Sequence, residues 1–180
     1  MIVAKLILAW FLADFISGLS HWWEDRALKD GSRFAFLNGV REDNERHHLR
    51  PQALLENTWW QNINTTAPIA WSVAAVLCFS GFYFLAITFL YLGFGNLIHR
   101  WSHENKKERP VLVSVLQRTG FISSPSHHAG HHFKAGRKVQ RTEAEIRFCV
   151  MSDWLNPILD AVNFFGALNF VAKLFPQGRE

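Results

Sequence analysis

Between Thr66 and Ile98 the chain reads TAPIAWSVAAVLCFSGFYFLAITFLYLGFGNLI, without one charged side chain. At about 1.5 Å per helical residue the stretch exceeds a hydrocarbon core of roughly 30 Å, so the pattern predicts two helices folded back as a hairpin. Ser80-Gly81 is the natural turn, Pro68 stands near the start of the first leg, and the polar run from Gln61 to Asn64 extends that leg. Legs this short predict little tilt, or a locally thinned bilayer. The N-terminal segment MIVAKLILAWFLADFISGLSHWW is a third span, broken by Lys5 and Asp14. It leads straight into histidine and tryptophan and has no clear small-residue cleavage site, so it reads as a retained helix rather than a signal peptide. Asp14, costly in lipid, is expected to face other helices. The tail from Trp154 to Phe175 is apolar but carries Asn156, Asp160, Asn163, Asn169 and Lys173, the pattern of an amphipathic interfacial helix. VLVSVL, between Pro110 and Gly120, predicts a short helix on the membrane surface.

The expected fold is therefore all-α: an integral membrane bundle of three transmembrane helices plus interfacial helices. A length of 180 residues makes it one domain over 1–180, since a second would leave neither half enough apolar surface to bury. Apolar residues at 49% against 19% charged, with eight tryptophans and sixteen phenylalanines, fit a membrane chain better than an ordinary soluble one. The net charge of +4 would suit nucleic acid or an anionic membrane surface, and its distribution decides between them. Of nineteen basic residues, six fall between positions 21 and 66 and ten between 99 and 147; the others are Lys5, Lys173 and Arg179. A positive-inside bias places both rich segments in the cytoplasm and accounts for the charge without nucleic acid. Every histidine then lies on the cytoplasmic side. Cys78 and Cys149 lack CxxC spacing and are expected to be buried, inert thiols.

The nine histidines are grouped. His21 stands four before Asp25, His47 and His48 are adjacent, His99 and His103 are four apart, and His127, His128, His131 and His132 crowd into SHHAGHHF. Residues four apart on a helix project from one face and can share an ion. The groups sit where spans meet the cytoplasmic surface, so a compact bundle brings them together. So many imidazoles exceed what one tetrahedral zinc uses, which points to two metals. Nitrogen-rich ligation suits iron, copper, zinc or nickel, while calcium would want oxygen. No HExxH is present for zinc hydrolysis, and the ExxH pairs of soluble di-iron carboxylate proteins are missing too. What remains is the histidine-rich di-iron arrangement of membrane desaturases and hydroxylases. A pH-sensing cluster would not need helical pair spacing in several segments.

These residues carry a family resemblance. GLSHWWED is similar to the HWxxD motif of the plasmanylethanolamine desaturase, Kua and CarF family of membrane lipid desaturases, RHHLRP to its HHxxP, and GNLIHRWSH to its HxWxH. RPVLVSVLQRTGFISSPSHHAGHH resembles the stretch leading into its HxxHH, and FCVMSDWLNP the aromatic-Cys and Trp-Asn segment that follows. The match spans roughly residues 18 to 160, with five motifs in family order. The resemblance implies O2-dependent removal of two hydrogens from a lipid chain by two iron ions. The substrate would be a phospholipid or ether lipid, and electrons would come from an external donor such as cytochrome b5 or ferredoxin. It implies as ligands His21, His47, His48, His99, His103, His128, His131 and His132, with Asp25 a ligand or its hydrogen-bonded support. His127 falls outside HxxHH and is assigned to orienting a ligand or touching substrate.

Further substrate contacts are expected from Arg50, Arg100 and Lys106 on the lipid phosphate, and from Phe84, Phe89, Tyr91 and Phe94 along an acyl pocket. Two other functions fit the same residues: a lipid hydroxylase, which would return oxygen to the substrate, and a non-enzymatic metal-binding membrane protein.

Overall fold

The computed structural model describes residues 1–28, 31–134 and 137–174. The architecture is helical, with one two-stranded ribbon. Helix α1 (Ile2–Trp22) continues through a π-helical turn, Trp23–Ala27. After α2 (Ala35–Leu49) and a 3-10 turn (Pro51–Glu56) comes α3 (Trp59–Phe79), started by a reciprocal cap: the Thr58 hydroxyl accepts from the Gln61 N–H at 3.2 Å, and the Gln61 side chain accepts from the Thr58 N–H at 2.8 Å. The chain reverses at Ser80-Gly81 as the sequence predicts, with Gly81 at φ 81°, a region glycine enters without strain.

The returning leg is broken. It comprises α4 (Tyr83–Leu92) and α5 (Gly95–His103), parted by a turn at Gly93-Phe94. The Trp71 indole lies against Gly93, donating to the Leu90 carbonyl at 3.1 Å, and a side chain at 93 would collide with it. At ten residues α4 is about 15 Å long, half a bilayer core. Among the described residues two helices are long and apolar enough to cross a membrane, Ile2–Ala27 and Trp59–Phe79. Ile7, Leu8, Ile69, Val76 and Phe79 stand exposed on them, as lipid-facing residues would.

Short elements follow: α6 (Val111–Arg118), α7 (Pro125–His132), the antiparallel ribbon β1 (Phe133–Lys134) and β2 (Arg137–Lys138), and a 3-10 turn, Arg141–Glu143. The tail is not one helix: α8 (Asn156–Ala161) and α9 (Phe164–Leu174) are parted at Asn163, whose φ of 50° no α-helix holds. Phe175 lies outside the described residues.

Two apolar clusters hold the elements together. Trp10 stacks on Phe121 (4.8 Å between centroids) and meets Tyr91 edge-on, over Ile98, Val113 and Met151. Phe148, Cys149, Leu159 and Phe165 form the second, closed by the approach of Gly18 to the Cys149 sulfur. Cys149 is buried as expected, whereas Cys78 is exposed on α3. Asp14 is turned away from lipid and fully buried, and its closest side-chain hydrogen bonds come from a segment outside the helices. Its carboxylate accepts from the Met151 N–H (2.9 Å) and the Ser152 hydroxyl (2.6 Å), tying α1 to the extended segment before α8.

Candidate metal centre

Four helices deliver the histidines. The i, i+4 spacing sets His21 and Asp25 on one face at the end of α1, Asn44 and His48 on one face of α2, and His99 and His103 on one face of α5. On α7 the spacing puts His128, His131 and His132 together. That helix starts with Pro125 in its first turn and the Ser124 hydroxyl accepting from the His127 N–H at 3.3 Å.

All nine residues expected to bind metal come together, in two adjoining groups. One holds His47, His99, His103, His128 and His132; the other holds His21, Asp25, His48 and His131, and within each group the ligand atoms lie within 4.8 Å of one another. Adjacent His47 and His48 divide between the groups, and so do the histidines of α7. The groups stand side by side, with the rings of His48 and His132 centred 4.7 Å apart and those of His21 and His99 5.2 Å apart.

The contacts within each group have the spacing that a shared cation would give. His128 Nε2 is 2.8 Å from His99 Nε2 and 3.0 Å from His132 Nε2. Nitrogens bound cis to one ion at about 2.05 Å would be about 2.9 Å apart. In the second group, Asp25 carboxylate oxygens lie 3.0 Å from His131 Nε2, 3.2 Å from His48 Nε2 and 3.7 Å from His21 Nε2. His131 Nδ1 can meet the Ile146 carbonyl at 2.9 Å only as a donor, which fixes the ring so that Nε2 is the nitrogen turned to the Asp25 carboxylate and to a shared ion. Both ring nitrogens of His21, His47 and His48, and Nδ1 of His128 and His132, are buried without a hydrogen bond among the described residues. Each such group left unsatisfied costs about 1–3 kcal/mol. Burial first, then neighbouring imidazoles, holds His47, His128 and His132 well below the ordinary imidazole pKa. They are neutral, with lone pairs free for a metal. The donor set is nitrogen-rich with one carboxylate, which fits iron and excludes a calcium site.

Two supporting residues, Asn44 and Arg141, escape sequence reasoning, and a third, Asn156, falls in the Trp-Asn segment without a role read for it. Asn44 donates from Nδ2 to Asp25 Oδ1 at 2.5 Å; its only signal is the four-residue step to His48. Buried Arg141 donates from Nη1 to the carbonyls of Glu24 (3.0 Å), Asp25 (3.0 Å) and Leu28 (3.3 Å), and from Nε to Glu45 at 3.0 Å. It closes the open end of the π-helical turn that carries Asp25. Asn156 accepts from the Cys149 N–H (3.0 Å), donates to the Cys149 carbonyl (2.7 Å) and meets His127 Nε2 at 3.1 Å.

His127 stands outside both groups, and its carbonyl accepts from Arg147 at 2.7 Å. Of the residues expected at the substrate, Arg50 lines a hollow of about 750 Å³ that reaches His103 and His132. Arg100 is buried on Glu104 (2.5 Å) and the Asn57 carbonyl, and Lys106 borders a separate hollow beside Asp153. Phe94 packs on Trp71, Tyr91 sits in the core against Trp10, and Phe84 is exposed, so these rings do not line the hollow.

The comparisons with known proteins agree with this chemistry. The chain is 29% identical over 185 residues to a probable fatty acid desaturase of Acanthamoeba polyphaga mimivirus, covering 98% of this chain and 86% of that protein. It is 28% identical over 181 residues to the plasmanylethanolamine desaturase of Myxococcus xanthus, covering 92% of this chain and 58% of that one. It is 26% identical over 186 residues to plasmanylethanolamine desaturase 1 of Mus musculus, covering 93% and 64%. The chain thus spans less than two thirds of the latter two. No solved structure matches it. The model of the lipid desaturase domain matches residues 10–176, which takes in every residue of both histidine-rich groups, and the chain belongs to that family.

Proposed function

We propose that this chain, as one domain over residues 1–180, is a membrane-embedded di-iron desaturase acting on an ether-linked alkyl chain or an acyl chain of a phospholipid, like its plasmanylethanolamine desaturase relatives. The observation that carries the reading is the pair of adjoining, buried, nitrogen-rich groups. In the net reaction a CH2–CH2 unit loses two hydrogens to become CH=CH. Those two hydrogens, together with O2, two electrons from an external donor such as cytochrome b5 or ferredoxin, and two protons, end as two molecules of water.

When bound, two iron ions supply the oxygen activation and one-electron chemistry that no side chain here provides. The protein's share is binding and placement, since an unactivated C–H bond offers no charge for an acid or base to grip. His47, His99, His103, His128 and His132 would hold one ion, and His21, Asp25, His48 and His131 the other. Asn44 and Arg141 keep the Asp25 carboxylate and its backbone in place. Packing of Phe148 against the rings of His21 and His131 excludes water from that side. In the membrane, α1 and α3 cross fully, α4 prolonged by α5 makes a third crossing, and the basic segments with both metal groups face the cytoplasm.

The test is mass spectrometry of lipids from cells making the chain or its His128→Ala variant. The active form is expected to yield lipids lacking two hydrogens, and the variant none. An unchanged lipid profile, an equal change with the variant, or a product that has gained oxygen would sink the desaturase reading. Elemental analysis of the pure active protein should find two irons per chain.

A further inference from the structure

The hollow beside the metal groups has a wall that includes His103, Ala129 and His132, and it is bordered by Arg50, Glu56 and Lys138. Its volume of about 750 Å³ falls within the roughly 300–1,000 Å³ of sites that enclose small ligands. Arg50 caps the C-terminal end of α2, and the Lys138 ammonium donates to the carbonyl of the preceding Leu49 at 3.3 Å, so both cations come from the same corner of the hollow that they line. Arg50 spends one donor, Nη2, on Glu56 at 2.9 Å, and its other guanidinium hydrogens have no partner among the described residues. Two cations against one carboxylate leave the lining net positive, and the imidazoles beside them face the metal groups. An anion bearing one negative charge would balance it.

Depth then selects which anion. The 3-10 turn that lines the hollow runs into α3, whose first residues, Trp59 and Trp60, are exposed. Exposed tryptophans at the start of an apolar span mark the level of the lipid headgroups. We infer that Arg50 and Lys138 form a phosphate-recognition site that seats the phosphodiester of a phospholipid in this hollow, while one of its chains runs past His103 and His132. The inference rests on the lipid-acting reading above. It separates the cations expected at the lipid: Arg50 serves, Lys138 joins it, and Arg100 is committed to Glu104.

The experiment is an equilibrium titration of the iron-loaded protein in nonionic detergent. The probes are dihexanoylphosphatidylethanolamine, uncharged dihexanoylglycerol and inorganic phosphate. The phospholipid is expected to bind at least about ten-fold more tightly than either other probe, and the R50Q/K138Q double variant to lose about ten-fold for the phospholipid alone. Iron content and helicity should match the wild type. Equal affinity for phospholipid and diglyceride, or wild-type affinity in the double variant, would overturn the site. Inorganic phosphate binding as tightly as the phospholipid would overturn the lipid assignment. Should the double variant not fold, K138Q alone, at an exposed position, is expected to weaken phospholipid binding about three-fold, and no loss overturns the proposal. The titration needs no turnover, so a chain that binds the phospholipid yet forms no double bond would refute desaturation and leave the site standing.

Discussion

Asp25 sits among three imidazoles, with Asn44 giving its Oδ1 a hydrogen bond. Removing that donor strands a buried carboxylate oxygen, at about 1–3 kcal/mol. Losses of about 10–100-fold in metal affinity are typical when a ligand's hydrogen-bonded support is removed. Asn44→Ala is therefore expected to fold with weakened iron retention, read as iron per chain after dialysis against graded chelator; retention equal to wild type would contradict the role given to Asn44. The histidines set a pH dependence of definite sign. His47, His128 and His132 have folded pKa values well below the roughly 6.5 of an unfolded imidazole, so below that pH the unfolded chain takes up the protons first. Stability is then full above pH 6.5 or so and declines as pH falls through it, by up to about 1.4 kcal/mol per pH unit for each group. Thermal unfolding should be flat from pH 8 to 7 and shift downward by pH 5.5. A midpoint that rises on acidification would contradict it.

Elements were legible wherever apolar spacing or a punctuating residue marked them. The hairpin turn at Ser80-Gly81, the short α6 between Pro110 and Gly120, and the shared face on α7 all follow from the sequence. Helix α2 has no such mark, because the residues it turns inward are Asn44, His47 and His48, which hydrophobic periodicity does not count. The turn at Gly93 was equally hidden, since it is fitted to the Trp71 indole of another helix, and the break at Asn163 carries no glycine or proline to mark it. Arg141 belongs to the same class. It lies more than a hundred residues from the carbonyls it holds, and it joins the π-helical turn to Glu45 of α2. Arg141→Ala removes a buried, hydrogen-bonded charge and should cost about 3 kcal/mol or more. Arg141→Lys keeps the charge but cannot reproduce the fork, and should restore stability only in part. The check is the thermal midpoint of both variants alongside their iron content. Full recovery by lysine would show that charge alone matters there.

At the scale of the whole molecule, the histidine groups are separated by up to 111 positions, from His21 to His132, yet meet in one centre. That the histidines would converge was readable before geometry, because their groups stand where apolar spans end, while their division into two groups required the fold. The division also limits topology. Both groups draw on α2 and α7, in the two basic segments; the first adds α5 and the second the end of α1 with its π-helical turn, so in the proposed topology these ends share one face of the membrane. The same topology puts the turn at Ser80-Gly81 on the opposite face, α3 being long and apolar enough to cross. In a Cys78→Ser background, with Cys149 buried, Lys107→Cys should react with a membrane-impermeant maleimide only from the cytoplasmic side. Ser80→Cys should react only from the other side. Labelling of both positions from one side would exclude the third crossing by α4 and α5 and turn the hairpin into a re-entrant loop. Labelling of Lys107→Cys from outside alone would invert the whole assembly, histidine centre included.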